Sequence, residues 1–333
     1  MTPGLVLVVG PNGAGKTNLL ESLHVGTQGF SPRTRNDAQL VRFGERAGRV
    51  SLGGRRAEAS LALEVTLEPG KGKHARVNGA PLRAAELLRN EVVTLVFTPD
   101  RLAIVKAAPA VRRAYFDRAL GRLFPARSAL AAEYGAAVGQ RNAALRRVAA
   151  GLSSTDALEP WTDQVAALGA DLVDARLRTL ELLSTAFAHL TSEFALEPGR
   201  LAYEGEAPTR EELDARQARD LERGATGLGP HLHDVAVLAG DRDLRSYGSQ
   251  GEQRLAVLSL LLAEASVLAE RSGVPPLLLL DDVLSELDPE RRATLARLLP
   301  AGGQTLVTST TAAALPVAPA QLLEVRPGEV RAA

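Results

Sequence analysis

The sequence predicts the α/β fold class: one α/β domain split in two by a mainly helical insertion. Three observations carry this. A short apolar run at residues 5–9 passes through a glycine-rich turn into a helical pattern at 18–26. An α/β texture returns after Tyr247. Between about 102 and 245 the apolar spacing is that of helices. The 333 residues suit two domains, or one large domain carrying an insertion. The expected division is 1–101 with 246–333 for the α/β lobe and 102–245 for the helical lobe.

Each element has its own signal. Residues 5–9, LVLVV, read as a buried strand. Leu61, Leu63, Val65 and Leu67 alternate within 48–68, which ends at Pro69-Gly70. Asn78-Gly79 is a tight-turn pair beside a return strand around Val77. Residues 92–97 read as another buried strand. Residues 108–124 are helical, with Pro109 at a first helical position, and 128–150 continue. Apolar residues recur at threes and fours from Leu158 to Phe194, giving one long amphipathic helix over roughly 157–194. That length suits a helix bundle better than a coiled-coil arm. Residues 200–226, acidic and mixed with Arg, read as solvated helix and loop; 232–238 and 244–247 read as strand. A helix over 251–271, a strand at 277–280, a helix over 289–299, a strand at 305–308 and a closing hairpin at 322–325 with Val330 complete the chain.

Composition bounds the chemistry. Hydrophobic residues make up 45% and charged residues 23%, enough for a sizeable core. Lys and Arg number 39 and Asp and Glu 39, so any attraction to a polyanion must come from local patches. Cysteine is absent, which excludes disulfides, Cys-based zinc sites and Cys nucleophiles. His231 and His233 beside Asp234 could form a metal pair, but an ordinary loop or strand is the preferred reading. The longest apolar run, 255–263, falls far short of the ~20 residues a membrane span needs. No basic region precedes the first apolar stretch, so a cytoplasmic protein without a signal peptide is expected.

Three motifs carry the function. Gly10-Pro11-Asn12-Gly13-Ala14-Gly15-Lys16-Thr17 fits G-x-x-x-x-G-K-[ST] at every fixed position, between a strand and a helix. The glycines let successive backbone N–H groups turn onto phosphate, and the helix aims its N-terminus at the same anion. Lys16 is expected on the β- and γ-phosphates of ATP, and the Thr17 hydroxyl on Mg²⁺. Asp281 and Asp282 end the apolar run 277–280, where Asp281 is expected to hold Mg²⁺ and Asp282 to polarise the attacking water. Ser249-Gln250-Gly251-Glu252-Gln253 opens a helix, so Ser249 and Gly251 could hold a phosphate. Ser249 with Glu252 three residues on is equally a capping box, and the residues alone leave both readings open.

The last segment resembles the signature motif of ATP-binding-cassette (ABC) ATPases, and Ser285-Glu286-Leu287-Asp288 resembles their D-loop. Further stretches extend the likeness: 31–45, Phe97-Thr98-Pro99-Asp100 with 109–120 (PAVRRAYFDRAL), Gly229-Pro230-His231, and Tyr247 to Gly251. Over nearly the whole chain the sequence resembles the RecF family, bacterial DNA replication and repair ATPases related to the SMC family. The resemblance implies an ABC-type P-loop ATPase head with an inserted helical lobe. It implies a monomer that dimerises head to tail on ATP, with Lys16, Thr17 and Asp281 from one protomer and Ser249 from the other. It implies a weak DNA-dependent ATPase that binds single- and double-stranded DNA at gap junctions. It also implies partners RecO and RecR, the loading of RecA, and a part in the DNA-damage (SOS) response. The family usually carries a strand pair ahead of the P-loop strand; here nine residues precede Gly10. Asp100-Arg101 departs from the family's pattern, so Thr98 and Asp100 receive no role. Ser309 or Thr310 is expected to sense the γ-phosphate.

Three rivals share parts of this pattern. An ABC transporter subunit would normally place its signature about a hundred residues after the P-loop, whereas Ser249 follows Lys16 by 233. A P-loop kinase has no use for Ser249. A nucleotide-gated scaffold with negligible turnover remains open, since Asp282 stands where Glu is more usual and reaches less far. For DNA, two basic clusters are candidates. Residues 101–150 hold Arg101, Lys106, Arg112, Arg113, Arg118, Arg122, Arg127, Arg141, Arg146 and Arg147 against Asp117 and Glu133. Residues 31–60 hold seven Arg against three acids. Phosphate contacts from such clusters are salt-dependent and weakly sequence-specific. Aromatic residues are few, which argues against strong single-strand specificity through stacking.

Overall fold

A computed structural model describes residues 1–56, 59–300 and 302–333. The chain forms two compact units, Met1–Arg101 with Ala265–Ala333, and Leu102–Glu264. The second division falls inside the helix Gln250–Ser272, not at 245/246 where the α/β texture returns. The first turns of that helix are tied to the inserted unit. Gln253 Nε2 donates to Leu244 O at 2.7 Å, and the Glu264 carboxylate accepts from Tyr115 Oη at 3.1 Å and from Arg122.

The first unit is built on a six-stranded sheet. Its spatial order is Glu329–Ala332, Gln321–Arg326, Gly4–Val9, Gln304–Ser309, Leu277–Leu280, Thr94–Phe97. All neighbours are parallel except the closing hairpin. Central parallel strands are covered on both faces, which is why LVLVV and LLLL read as unbroken apolar runs. Val6, Val8, Leu279 and Leu306 pack with Leu20 and Leu23 of the helix Lys16–Gln28. A four-stranded antiparallel meander, Gly48–Arg56, Ala59–Glu68, Gly72–Val77 and Ala80–Leu82, forms a second sheet. Its Asn78-Gly79 turn has φ of 49° and 83°, the paired left-handed geometry that a two-residue hairpin demands. Leu63, Val65 and Leu67 form one face of it, packed with Val25 and Leu88.

In the second unit the 35-residue helix Glu159–Glu193 runs beside Leu130–Ala149 and Pro109–Leu123. Leu120, Tyr134, Val138, Val165, Leu172 and Leu213 form an apolar cluster in it. Gly199–Glu204, Asp234–Ala239 and Arg242–Asp243 make a three-stranded antiparallel sheet. Two expectations are corrected here. Gly199–Glu204 is a strand, although 200–226 reads as helix and loop. Its alternation is six residues long and is swamped by the charged residues that follow. Leu244–Tyr247 is one helical turn, not a strand, because Asp243 caps it by accepting from Arg245 N at 3.0 Å.

Candidate functional site

The strand Gly4–Val9 delivers the chain to the Gly10–Thr17 loop, and the helix Lys16–Gln28 carries it away. The loop's geometry requires glycine. Gly13 and Gly15 have φ of +80° and +107°, left-handed values that side chains resist. A Cβ on Gly10 would lie 2.5 Å from Val325 O on the neighbouring strand. Ala14 N donates to Pro11 O at 3.2 Å, and Ala14 itself is buried. Pro11, Asn12 and Gly13 are exposed. No side chain caps the helix and no acid lies in its first turn, so its free N–H groups remain available to an anion. Lys16 Nζ folds back to donate to Gly10 O at 2.7 Å and Pro11 O at 3.0 Å. The ammonium therefore sits on the loop's own carbonyls, beside the N–H groups that would receive phosphate.

The sheet brings the acidic pair to the same edge. Gly4–Val9 and Leu277–Leu280 flank Gln304–Ser309, in parallel and in register, so their carboxyl ends lie two strand spacings, about 10 Å, apart. Ligands of open parallel sheets bind at such an edge. Asp281 is buried, and its Oδ1 accepts from Thr308 Oγ1 at 2.9 Å. The same Thr308 oxygen accepts from Asp282 N at 2.8 Å. Asp282 is exposed and left-handed, with φ of 51° and ψ of 28°, a conformation costly for a residue with a Cβ and characteristic of functional sites. Beyond it, Asp288 accepts from Arg291 N at 2.8 Å. Arg292 Nε donates to Leu284 O at 3.0 Å and Leu287 O at 2.8 Å, fixing the segment that resembles a D-loop. Of Thr308 and Ser309, which close the neighbouring strand, and Thr310 just beyond it, the sequence directs attention to Ser309 and Thr310. The hydroxyl that touches the acidic pair is instead that of Thr308. Its signal was a polar residue in an apolar strand, which is visible in sequence but not interpretable there. Ser309 Oγ accepts from Thr311 N at 3.2 Å, and Thr310 is exposed.

Ser249 and Gly251 belong to the other unit. Both are exposed at the start of the helix Gln250–Ser272. The capping box is formed: Ser249 N donates to Glu252 Oε2 at 2.8 Å, and Glu252 N to Ser249 Oγ at 3.3 Å. Arg242, 2.8 Å from the Glu252 carboxylate, and the Ser249 donors hold that carboxyl down to about 2. A Cβ on Gly251 would meet only Ser249 Oγ, at 4.0 Å. Nothing within the chain requires glycine there, whereas a ligand approaching the helix end closely would. Gln253 Nε2 donates to Gly248 O at 3.1 Å as well as to Leu244 O, so the turn ahead of Ser249 is held from beneath.

One further expectation, about charge, changes, while His231 and His233, for which an ordinary loop or strand is the preferred reading, are hydrogen-bonded within the protein. The Tyr134 hydroxyl lies 2.8 Å from His231 Nδ1, His231 Nε2 lies 3.0 Å from Thr226 O, and Tyr203 Oη lies 2.9 Å from His233 Nδ1. Among the described residues no cluster of three or more metal-binding side chains occurs. The basic cluster of 101–150 is also partly internal. Arg112 is 2% exposed, pairs with Asp234 through two nitrogens, and donates to Val105 O and Ala107 O. Arg141 is fully buried against Asp220, Thr226 and Thr162. Arg113 donates to His233 O. A buried guanidinium must satisfy its donors internally, so Arg112 and Arg141 are structural, Arg113 is half-buried with one donor committed to the protein, and the cluster's charge overstates what faces outward.

A glycine-rich loop of the phosphate-binding pattern and an acidic strand end, on one edge of a parallel sheet, match the head architecture of ABC-type P-loop ATPases. The chain belongs to the family of RecF/RecN/SMC N terminal domains, whose model matches residues 1–330. It is 35% identical over 322 residues to the DNA replication and repair protein RecF of Heliobacterium modesticaldum, covering 92% of this chain and 87% of that one. The structure of the recombination mediator protein RecF-ATP in the RecFOR pathway matches it with a TM-score of 0.89 at 29% identity, covering 100% of this chain and 92% of the other. An Smc head domain from Pyrococcus furiosus, bound to the C-terminal domain of ScpA, shares the fold alone, with a TM-score of 0.59 at 15% identity over 100% of this chain and 90% of the other. No described helix is long and apolar enough to cross a membrane.

Proposed function

We propose that this chain is a cytoplasmic ATPase of DNA replication and repair, in which ATP joins two copies head to tail on DNA near single-strand gaps and slow hydrolysis releases them. The observation that carries this is the shared sheet edge: the Gly10–Thr17 loop and the Asp281–Asp282 pair flank one strand, whose Thr308 bonds both acids. On binding ATP, Lys16 exchanges Gly10 O and Pro11 O for oxygens of the β- and γ-phosphates. The Thr17 hydroxyl and the second carboxylate oxygen of Asp281 are hard oxygen donors, which suits Mg²⁺. Bound there, Mg²⁺ would neutralise phosphate charge. Asp282 orients the attacking water and takes up its proton. Ser249 and the helix end around Gly251 supply γ-phosphate donors to the site of the second copy. The relatives named for RecF and the RecFOR pathway support RecO and RecR as partners, with loading of RecA as the outcome.

A second reading, a nucleotide-gated scaffold with negligible turnover, is favoured by one feature: Asp282 is a methylene shorter than Glu. Measuring ATP turnover with and without gapped DNA separates the two. Slow turnover stimulated by gapped DNA supports the ATPase. Dimerisation on ATP with no turnover supports the scaffold, and absence of ATP binding contradicts both.

A further inference from the structure

Phe43 is completely exposed, at 103% of its reference area, in a protein with only seven Phe. It does not dangle from a loose loop. Glu45 N donates to Arg42 O at 2.9 Å, closing a four-residue turn, and Gly44 has φ of +87°, so Phe43 occupies the first corner of a type II turn. The turn is anchored by Val41, buried with Leu63 and Val65, whose N–H donates to Ala38 O at 3.3 Å. A rigid turn thus presents an aromatic ring whose burial would be worth about 2–3 kcal/mol. Its surroundings are cationic. Residues 33–49 carry five Arg against two acids. Arg33 is paired with Glu21 and Arg49 with Glu64, while Arg35, Arg42 and Arg46 are exposed and make no ion pair among the described residues.

We propose that Phe43 is a stacking platform for one unpaired nucleobase, with Arg42 and Arg46 holding the flanking phosphates. The inference rests on the reading that this chain binds DNA, and it names the part that recognises the single-stranded side of a gap. An exposed ring flanked by unpaired cations matches the two faces of a single strand, an apolar base and an anionic backbone. A duplex offers the arginines phosphates but keeps its bases stacked, so there the ring has no partner without paying for unstacking.

The test uses the full chain with ATP and three labelled probes in fluorescence anisotropy, each variant compared with wild type across one salt series: an oligo-dT strand, a gapped duplex and a blunt duplex. Phe43→Ala should weaken the strand and the gapped duplex roughly tenfold, the worth of one base on an aromatic ring, and leave the blunt duplex within about twofold. Phe43→Trp should retain wild-type binding. Arg42→Ala/Arg46→Ala should weaken all three probes and lower the salt slope by about 1.5. Thermal melting of Phe43→Ala at the wild-type temperature establishes that the fold is intact. Wild-type DNA binding by Phe43→Ala, or an equal loss on all three probes, overturns the stacking role while leaving DNA binding standing. A wild-type chain that binds none of the probes overturns the DNA reading and the platform with it. Loss of self-association in Phe43→Ala, seen by sedimentation, would reassign the ring to a protein contact and overturn the proposal.

Discussion

Thr308 donates its hydroxyl to Asp281 Oδ1 at 2.9 Å, and its oxygen in turn accepts the backbone N–H of Asp282 at 2.8 Å. One hydroxyl therefore orients the carboxylate of the first acid and the backbone of the second. Thr308→Val keeps the shape and removes both bonds, leaving a buried carboxylate oxygen and a part-buried N–H short of a partner. The expected loss is about 2–4 kcal/mol of stability, with slower ATP turnover, and Thr308→Ser should restore most of both. Denaturant unfolding of the three proteins checks this. A Val variant as stable and active as wild type would remove Thr308 from the site.

Lys16 and Asp282 should separate binding from hydrolysis. Lys16→Ala removes the charge-assisted contacts to phosphate and should weaken ATP binding by about 100-fold. Asp282→Asn leaves Asp281 and Lys16 in place. ATP affinity should stay near wild type while turnover falls by about 10²-fold or more. Equilibrium binding of a fluorescent ATP analogue, beside single-turnover hydrolysis, distinguishes them. Wild-type turnover in Asp282→Asn would place the water-orienting group elsewhere.

Arg141 and Asp220 are 2.7 Å apart, with side chains 1% and 0% exposed. Arg141→Met leaves an uncompensated buried carboxylate and should cost about 3–5 kcal/mol. Arg141→Met with Asp220→Leu should recover much of that loss. DNA affinity of the double variant should match wild type, since Arg141 does not face outward. A specific loss of DNA binding in a folded double variant would return Arg141 to the DNA surface.

Acid should loosen the helical unit through its histidines. Burial, then repulsion from Arg113 and Arg176, outweighs the Thr226 hydrogen bond and lowers the His231 pKa. Burial with Arg176 and His231 lowers that of His233. Both rings are therefore held neutral in the fold. Their contribution to stability is fully present above the unfolded value of about 6.5 and is lost as pH falls below it toward the depressed folded values. Melting temperature should drop between pH 7.5 and 5, and His231→Gln should flatten that drop. A fall equally steep in the variant would assign it to other groups.

The sheet and the placing of its candidate site residues were legible because they depend on local pattern. LVLVV, LLLL followed by two acids, and the glycine spacing of 10–17 each signal an element and a site residue together. Asn78-Gly79 fixed a hairpin for the same reason. What stayed hidden depends on pairing across the chain. The strand Gly199–Glu204 is defined by its antiparallel partner Asp234–Ala239, which pairs Glu204 with Asp234 and Gly199 with Ala239. Arg112 and Arg141 look like surface charges until Asp234 and Asp220, both far along the chain, are placed against them. Thr308 is an ordinary strand residue until the neighbouring strand brings it to Asp281. Phe43 was one of few aromatics by composition, and only the turn geometry shows that it stands clear of the core.

ATP, not ADP, is expected to link two copies through Ser249. Sedimentation velocity with Mg²⁺ present tests it most directly, comparing wild type and Ser249→Arg in ATP and in ADP. Wild type should sediment as a dimer in ATP and as a monomer in ADP, because only ATP offers a γ-phosphate, and nucleotide that binds the dimer stabilises it by linkage. Ser249→Arg should still bind ATP through Lys16 yet remain a monomer, since a bulky cation cannot occupy a close phosphate contact. A Ser249→Arg protein that dimerises in ATP as readily as wild type, or a wild type that dimerises equally in ADP, would rule out a γ-phosphate link through Ser249.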